Sequence, residues 1–573
     1  MVLAHPANGD AASPQITRRT HLILCLLLLL VPVGQLLLHS LTGSGLWHLL
    51  GLQSKNIDGT NQHVGILYDF PDNLQYASLA MENSLGNYFM SNLYTTESHL
   101  GILVNLYFLS IGILSNWFSV NPIPIMILVS FAAPPIVGYM VFTICSRILQ
   151  FSQGTSLLAT ALVIFGSGPS LLLSFINVVF SKIGVAYAMP LGLDYYRTDL
   201  FPIDQFLVLP YQSIATALLV TVLSAILKTL RTDLTADPCR WIILSAGGIA
   251  VFSLVRPYEA FVLTALFLIT MLTSRLIRGK DLLFRYRDYL VIGFLVTPSL
   301  FYISWLSFLP GWRNWAHAQF ILTMTRTDLA VALSVFWFIA ITGVVRVVRE
   351  RRLDMLILCL WALSSMLLLI GFGGAVFKLA GGAVIAYGIL GAFGLENIVC
   401  HLAADPSRYL GTSWKIVRAL VAIAAGVLIF GTSVWAYDGL IRHQKIPAID
   451  TEILAAAALI KQDCPNYTPT VLSDCPTAVT LPAFAGARVY SGHPAMTPEF
   501  AAKCRELELA GLGEQAVFDS GFDKSRLEDL IARTKPDFIL VRRGTSAEQW
   551  LLEHYVASTN MTGQRWSLLV TRK

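Results

Sequence analysis

Charged residues are scarce in this sequence. Asp, Glu, Lys and Arg make up only 13% of its 573 residues, whereas hydrophobic residues make up 55%. Soluble domains carry roughly a quarter charged residues, so the composition excludes a soluble globular protein and predicts a polytopic membrane protein. The net charge of +5 does not indicate nucleic-acid binding, because the basic residues form short clusters between apolar runs, where they orient a protein in a membrane.

Cysteine patterns typical of metal or redox sites are also absent. The eight cysteines include no CxxC pair and no metal-ligand spacing. Five lie in or beside apolar segments and are expected to pack there: Cys25, Cys145, Cys239, Cys359 and Cys400. The other three, Cys464, Cys475 and Cys504, fall in the polar C-terminal region. Cys464 and Cys475 are candidates for a disulfide if that region is extracytoplasmic.

Apolar runs of about 20 residues, the length that crosses a bilayer, recur along the chain as far as residue 437. Residues 1–20 are polar and are expected to be disordered. The first run, 22–38, follows Arg18-Arg19 and lacks a small-residue cleavage site, which predicts an uncleaved span with a cytoplasmic N-terminus. Further spans are predicted at 122–146, 155–173, 211–229, 240–255, 258–275, 288–308, 328–345, 353–372, 377–398 and 414–437. Residues 21–440 therefore form a membrane domain of about eleven spans.

Clusters of Lys and Arg predict the orientation of these spans. Basic loops at 228–240, 275–287, 346–352 and 408–418 alternate with loops poorer in basic residues, which places each basic cluster in the cytoplasm. The large loops 42–121 and 174–210 then lie outside. Three apolar runs lie between residues 98 and 174, but an even number of crossings must separate two loops on the same side. One run therefore does not cross, and 99–118 is predicted to be this run, as a juxtamembrane or half-inserted helix. The alternative, in which 99–118 spans, breaks the charge rule later in the chain.

No apolar run long enough to span occurs after residue 445. Residues 445–573 instead alternate helix and strand patterns. Strands are predicted at 470–472, 488–490, 537–541 and 566–571, and helices at 451–461, 497–509, 525–534 and 546–556. The predicted fold is a polytopic α-helical membrane protein with a small extracytoplasmic α/β domain at its C-terminus.

Ionisable residues that collect on the outer side are candidate functional groups, because such residues are costly beside a membrane core. The first outer loop contributes Asp69, Asp72, Tyr76, Glu82, Glu97 and His99. Other outer positions contribute Asp194, Arg197, Asp199, Asp204, Arg256, Arg313, Arg326 and Lys378. Carboxylates on two loops that face cations on others suit a reaction with a general base and an anionic, membrane-resident leaving group.

Two short motifs resemble those of the GT-C superfamily of integral-membrane glycosyltransferases, in particular protein O-mannosyltransferases and lipid A aminoarabinose transferases. Asp72-Asn73-Leu74-Gln75-Tyr76 is similar to the Asp-Glu-x-x-Tyr motif of their first outer loop, with Asn73 where Glu is common. Tyr94-Thr95-Thr96-Glu97 is similar to their second acidic position. Candidates for a third acidic position are Asp194, Asp199 and Asp204. Residues 482–486, 488–493 and Thr497 resemble the C-terminal region of bacterial members, which implies a bacterial plasma membrane.

The resemblance implies transfer of a sugar from a polyprenyl-phosphate donor to a lipid, glycan or protein acceptor outside the membrane, usually with inversion at the anomeric carbon. Asp72 is then expected to be the general base, and Glu97 to place the acceptor or tune Asp72. Arg256 and Lys378 are expected to stabilise the leaving phosphate. The other expected substrate-binding residues are Tyr76, His99, Asp194, Arg197 and Asp199, with Arg313 and Arg326 as further cations. Whether the loop carboxylates hold a divalent cation stays open.

Several candidates also have a purely structural interpretation. Asp69 and Glu82 are expected to be solvated loop acids, Arg256 and Lys378 can snorkel from span ends, and His493 is more simply structural. Two other functions stay open. A transporter or flippase is disfavoured because the sequence shows no paired halves, and a catalytically inactive membrane scaffold is compatible with Asn73 in the acidic motif.

Overall fold

The computed structural model of the chain is mostly helical, with a small sheet near the C-terminus. It describes residues 16–41, 61–63, 70–99, 101–166, 182, 205–206, 210–231, 238–278, 286–309, 312–313, 326–372, 382–404, 448–465, 467–513, 522–557 and 565–571. The helices before residue 405 are α1 (Arg18–Leu41), α2 (Phe70–Ser84), α3 (Leu106–Phe118), α4 (Pro122–Ser130), α5 (Ala133–Thr143), α6 (Gln153–Phe165), α7 (Pro210–Leu230), α8 (Pro238–Ser253), α9 (Pro257–Arg278), α10 (Tyr286–Leu306), α11 (Arg326–Glu350), α12 (Leu356–Phe372) and α13 (Ala383–Ala404).

Six helices within the described ranges are long and apolar enough to cross a membrane. They are Arg18–Leu36, Pro122–Ile148, Pro210–Leu230, Arg287–Leu306, Ala330–Glu350 and Leu353–Phe372. Each coincides with a predicted span. Four further predicted spans coincide with shorter apolar helices: Gln153–Phe165, Arg240–Ser253, Pro257–Thr273 and Ala383–Glu396. The last predicted span, 414–437, lies outside the described residues, so the total of about eleven stays a prediction.

Local sequence explains where many of these helices begin. Four of them start at a proline, whose missing N–H is not needed in the first turn: Pro122, Pro210, Pro238 and Pro257. Asn105 caps α3, because its side chain accepts hydrogen bonds from the backbone N–H groups of Tyr107 and Phe108. The 13 residues of α3 extend only about 20 Å, which is shorter than a hydrocarbon core. Helix α6, in the predicted span 155–173, has the same length, so the half-inserted placement of the run 99–118 stays a prediction.

Glycines allow helices of the membrane domain to approach one another closely. A Cβ atom on Gly343 of α11 would lie 2.0 Å from the carbonyl oxygen of Leu390 in α13, and one on Gly394 would lie 2.2 Å from Thr342 Oγ1. Small residues at helix interfaces are the usual means of tight packing in membranes, where the hydrophobic effect does not drive helices together. The α11–α13 pair is therefore closely packed at these two glycines.

The C-terminal region contains a five-stranded sheet with several helices, and the domain bounds 445–573 stay a prediction. Its strands are β3 (Thr470–Leu472), β4 (Arg488–Val489), β5 (Phe538–Arg542), β6 (Val556–Ala557) and β7 (Trp566–Val570), in the order β4-β3-β5-β7-β6. The β3 strand pairs in parallel with β4 and β5, whereas β7 is antiparallel to β5 and β6. The helices are α14 (Thr451–Asp463), α15 (Cys475–Ala478), α16 (Leu481–Ala485), α17 (Phe500–Leu509), α18 (Lys524–Thr534) and α19 (Ser546–His554). The short α15, α16 and β6 are additions to the predicted set.

The first outer loop and the C-terminal domain are joined by direct contacts. Strand β1 (Asn61–His63) pairs antiparallel with β2 (Ala448–Asp450) at the entrance to the domain. Leu74, Ala77 and Met81 form the buried face of α2 at helical spacing, and α2 contacts α16 of the domain as well as α3 and α4. The acidic loop is consequently held between the membrane helices and the α/β domain.

Candidate functional site

Asp72 lies in the first turn of α2, where a carboxylate is favoured by the helix dipole. Its side chain is 43% exposed, and its Oδ1 lies 3.2 Å from Nε2 of His493 in the C-terminal domain. The Nδ1 atom of that imidazole lies 3.1 Å from the backbone N–H of Ala495, from which it accepts a hydrogen bond. The ring proton is therefore on Nε2, and His493 donates to Asp72.

A set of hydrogen bonds fixes His493 against the first outer loop. Thr497 Oγ1 accepts from the backbone N–H groups of Gly492 and His493, at 3.2 and 3.3 Å, and donates to the carbonyl oxygen of Tyr94 at 2.7 Å. Asn92 Nδ2 donates to the Met496 carbonyl at 2.7 Å. The His493 side chain is buried, with its ring centroid 5.5 Å from that of Tyr94. We call residues 489–497 together with 92–94 the interdomain clamp.

Glu97 belongs to a second interdomain contact. Its carboxylate, 52% exposed, lies 2.6 Å from Nζ of the buried Lys503 on α17. Both residues line a cleft of about 640 Å³ in the surface of the C-terminal domain, which also holds Thr96, Tyr490, Glu499, Ala502, Arg505, Glu506, Leu509, Arg526, Arg533 and Thr534. Within the described residues, Asp72 and Glu97 thus contact different partners, His493 and Lys503.

Glu82 differs from the solvated loop acid that the sequence predicts. It lies near the end of α2, is only 2% exposed, and accepts hydrogen bonds from the backbone N–H of Ser91 at 2.6 Å and from Ser91 Oγ at 2.5 Å. Burial raises the pKa of its carboxyl to about 7, although the bonds to Ser91 and the charge of Arg488 act in the opposite direction. The expectation of solvation was wrong because α2 turns this residue into the interior.

Tyr76 and His99, which the sequence predicts to bind substrate, are both engaged within the fold. The Tyr76 ring packs against Phe108 and Tyr211, with centroid distances of 5.7 and 4.9 Å. His99 Nε2 accepts from the backbone N–H of Asn92 at 2.8 Å, and its Nδ1 donates to the Glu97 carbonyl at the same distance. Burial lowers the pKa of His99, consistent with a neutral ring. Their substrate-binding roles stay predictions.

Arg256 is not an outward-facing cation at a span end. It lies in the turn between α8 and α9, is 6% exposed, and forms an ion pair with Glu259 in which Nε and Oε1 are 2.7 Å apart. Its Nη1 has no hydrogen-bond partner in the described part of the chain. The snorkelling interpretation is therefore wrong for this residue, and the sequence analysis missed Glu259 as its partner.

The disulfide of the C-terminal domain joins Cys475 to Cys504, not Cys464 to Cys475. Cys464 is buried, and its Sγ lies 2.9 Å from the hydroxyl group of Tyr467. Cys504 lies on α17 and Cys475 opens α15, so the bridge ties the helix that carries Lys503 to the segment before the interdomain clamp. Spacing along the chain could not decide among the three possible pairs of these cysteines.

Solved structures with the same architecture were found by comparison. The Archaeoglobus fulgidus oligosaccharyltransferase in the apo form matches over 91% of this chain and 69% of its own, with 12% identity and a TM-score of 0.53. The chain shares the fold of this oligosaccharyltransferase. The same enzyme tethered to an acceptor peptide containing the NVT sequon gives 11% identity, a TM-score of 0.54 and the same coverage. The fold that the GT-C resemblance predicts is therefore confirmed.

A third solved structure that matches the chain is that of ArnT from Cupriavidus metallidurans bound to undecaprenyl phosphate. It matches over 87% of this chain and 93% of its own, with 12% identity and a TM-score of 0.45. No family model matches the sequence, and no curated protein matches it either. The fold is therefore established through structure alone.

Several predicted site residues lie outside the described residues. They are Asp69, Asp194, Arg197, Asp199, Asp204 and Lys378. Of the further cations, Arg313 is exposed, and Arg326 is the first residue of α11. Within the described ranges, no group of three or more His, Cys, Asp or Glu side chains could hold a metal ion. Among the described residues Asp72 contacts His493, and a divalent cation held by the loop carboxylates stays a prediction.

The sequence analysis did not predict the contact of His493 with Asp72 or that of Lys503 with Glu97. His493 and Thr497 do fall in the C-terminal segment that resembles bacterial GT-C proteins. Lys503 lies 406 residues from its partner Glu97 in a helix with ordinary surface composition, and no local pattern could single it out. Asn73, which departs from the acidic motif, is 3% exposed, so the departure falls on a packed position beside Asp72.

Proposed function

We propose that the chain transfers a sugar from a polyprenyl-phosphate donor to an acceptor on the extracytoplasmic face of a membrane, with Asp72 as the general base. The GT-C fold supports the class of reaction, because its neighbours are membrane glycosyltransferases. The observation that carries the role of Asp72 is its contact with His493, which leaves the carboxylate 43% exposed yet holds one of its oxygens in place. A carboxylate that is fixed and accessible is suited to take a proton from an incoming nucleophile.

In this reaction the acceptor oxygen or nitrogen forms a bond to the anomeric carbon while the bond from that carbon to the phosphate oxygen breaks. The acceptor proton passes to Asp72, and polyprenyl phosphate leaves with the bonding electron pair. Attack from the face opposite the phosphate inverts the anomeric configuration. A hydroxyl group is a weak nucleophile near neutral pH, so removal of its proton as the bond forms lowers the barrier.

Arg256 supports the part of the proposal that concerns the leaving phosphate. Its guanidinium is buried beside Glu259, and Nη1 has no hydrogen-bond partner among the described residues. A buried donor of this kind is costly to leave unsatisfied, and a phosphate oxygen would satisfy it. Lys378 and Arg197 remain proposed as additional phosphate contacts from segments outside the described residues.

Glu97 is proposed to act on the acceptor side. It stands at the rim of the 640 Å³ cleft, whose charged walls are largely neutralised by pairs such as Glu97–Lys503 and Glu506–Arg533. A polar cleft with little net charge suits a hydroxyl-rich glycan or a polar peptide more than a strongly charged polymer. Disulfides persist in oxidising compartments, so Cys475–Cys504 supports an extracytoplasmic location for this domain. The membrane itself is proposed to be a bacterial plasma membrane.

The Asp72→Asn variant tests the proposed base. Native membranes would supply the acceptor, with radiolabelled undecaprenyl-phosphate sugars as a panel of donors. Loss of the base should reduce transfer by about 10²- to 10⁴-fold, while the thermal midpoint of the purified protein stays close to wild type. Asp529→Asn serves as the control, because Asp529 is a 65% exposed acid on the surface of the C-terminal domain.

An Asp72→Asn variant with wild-type transfer would remove Asp72 as the base. If the wild-type chain instead moved labelled substrate into sealed vesicles without polyprenyl-phosphate sugar, the transporter alternative would replace the enzyme.

A further inference from the structure

We propose that His493 is a positioning residue that holds Asp72 in the orientation for proton abstraction, so that the C-terminal domain completes the catalytic site. This inference rests on the proposed role of Asp72 as the base. It assigns the α/β domain a part in the chemistry that acts through Asp72, by a contact between residues 421 positions apart.

The direction of the hydrogen bond is set by the surroundings of the imidazole. Nδ1 accepts from the Ala495 N–H at 3.1 Å, which leaves Nε2 as the protonated atom that faces Asp72 Oδ1 at 3.2 Å. A neutral His493 therefore donates to the carboxylate. Hydrogen bonds to a charged group are stronger than those between neutral groups, so this contact can restrain a side chain that is otherwise half exposed.

His493 itself has little freedom to move. Its side chain is 3% exposed, and Thr497 Oγ1 binds its backbone N–H. At Gly492, just before it, a Cβ atom would lie 2.9 Å from the Ala478 carbonyl oxygen and 3.0 Å from Tyr94 Cδ1. Only a glycine fits this close approach without displacement, so the interdomain clamp holds the imidazole against α2 at a fixed depth.

An unrestrained Asp72 would sample several rotamers, because the exposed face of its side chain offers no packing. Catalysis loses efficiency when a reacting group is misplaced by as little as 1 Å. A donor that is buried, rigid and directed at one carboxylate oxygen removes this freedom before the acceptor arrives. A merely structural histidine would need only the contacts with Ala495 and Tyr94, and its Nε2–H would have no reason to face a half-exposed acid.

Two substitutions separate these roles. His493→Asn places an amide oxygen near the position of Nδ1, so it can still accept from Ala495, but its side chain is too short to reach Asp72. His493→Gln places an amide N–H near the position of Nε2 and restores the donor to Asp72. The control is His554→Ala, since His554 is an exposed histidine of the same domain that stacks on Trp550.

The full-length variants are compared in native membranes with undecaprenyl-phosphate sugars as donors. His493→Asn should lower kcat by about 10- to 100-fold with little change in the KM for the donor, and His493→Gln should recover most of the loss. His554→Ala should behave as wild type. Wild-type kcat in His493→Asn would overturn the inference, as would equal losses in the Asn and Gln variants.

Hydrogen–deuterium exchange gives a second readout that does not depend on activity. Amides in the first turn of α2, residues 70–76, should exchange faster in His493→Asn than in wild type and in His493→Gln, because the restraint on Asp72 is lost. Unchanged exchange in His493→Asn would overturn the positioning role. If exchange responds as expected while the wild-type chain transfers no sugar, the proposed function fails and the contact between His493 and Asp72 stands.

Discussion

Two acids on α2, ten positions apart, have opposite environments. Asp72 is half exposed and receives a hydrogen bond from His493, whereas Glu82 is buried and receives two from Ser91. The sequence motif identified Asp72 as the residue of interest but gave no information about Glu82, because burial there depends on how the 85–91 turn folds back. The start of α2 thus presents an accessible carboxylate at Asp72, whereas its end holds the buried Glu82 against Ser91.

Glu82 should make stability depend on pH. Folding raises the pKa of its carboxyl from the ordinary value of 4.5 to about 7, so between these values the folded state keeps a proton that the unfolded state has released. The free energy of unfolding should therefore fall as the pH rises from about 4.5 to about 7 and then level off. At 1.36 kcal/mol per pKa unit, the free energy of unfolding should fall by about 3 kcal/mol in total.

Glu82→Gln should remove this dependence, because a neutral amide can still exchange hydrogen bonds with Ser91. Thermal midpoints of wild type and variant in detergent, measured from pH 5 to pH 8, should diverge as the pH rises, with the variant the more stable at pH 8. Glu528→Gln, at a 51% exposed position, is the control. Parallel curves for wild type and Glu82→Gln would contradict the role of this carboxyl.

At the scale of elements, the position of α2 depends on how closely it approaches α3. A Cβ atom on Gly112 of α3 would lie 2.4 Å from Asn83 Cβ and 2.6 Å from the Ala80 carbonyl oxygen. Both atoms belong to α2 and cannot move without moving that helix. The glycine thus sets the separation of the two helices and, through it, the place of Asp72.

Gly112→Ala should push α2 away from α3. We expect a loss of roughly 1–3 kcal/mol of stability, as for other overpacked sites, together with reduced sugar transfer. The matched control is Gly247→Ala in α8, where nothing lies within 4 Å of the added atom and where replacing a helical glycine by alanine is expected to add about 0.5–1 kcal/mol. Thermal midpoints and transfer rates are measured for both variants. If Gly112→Ala matched Gly247→Ala in both, the close approach of α2 to α3 would be excluded.

Elements were predictable where the signal is local. Apolar length identified the long helices, and prolines such as Pro122 and Pro257 marked their starts. The strands around Val471 and Ile539 followed from β-branched runs. The two-residue β6 and the four-residue α15 are too short to show a period, so the sequence could not reveal them. The contacts of Asp72 with His493 and of Glu97 with Lys503 depend on how distant segments assemble, which local pattern does not encode.

At the scale of the whole molecule, the disulfide stabilises the C-terminal domain. It closes a loop with a sequence separation of 29 residues, which by chain-entropy reasoning is worth about 3–4 kcal/mol. Reduction should therefore lower the denaturation midpoint of the C-terminal domain, and Cys475→Ser should remove the effect of reductant.

The same variant tests which side of the membrane the domain occupies. Cys475→Ser leaves Cys504 with a thiol, which a membrane-impermeant maleimide should label in intact cells if the domain is extracytoplasmic. Wild type should stay unlabelled at this position until it is reduced. Labelling of Cys504 only after lysis would invert the predicted orientation of the entire chain.

The contact between Asp72 and His493 has a consequence for biosynthesis. Asp72 leaves the ribosome early, with the first membrane helix, whereas His493 is translated 421 residues later, after the last transmembrane segment. A nascent or truncated polypeptide would display the acid to the lipid carrier without its partner. If the proposed function and orientation hold, competence for sugar transfer arises only once the C-terminal region has been exported and folded, so that incomplete products do not consume the donor.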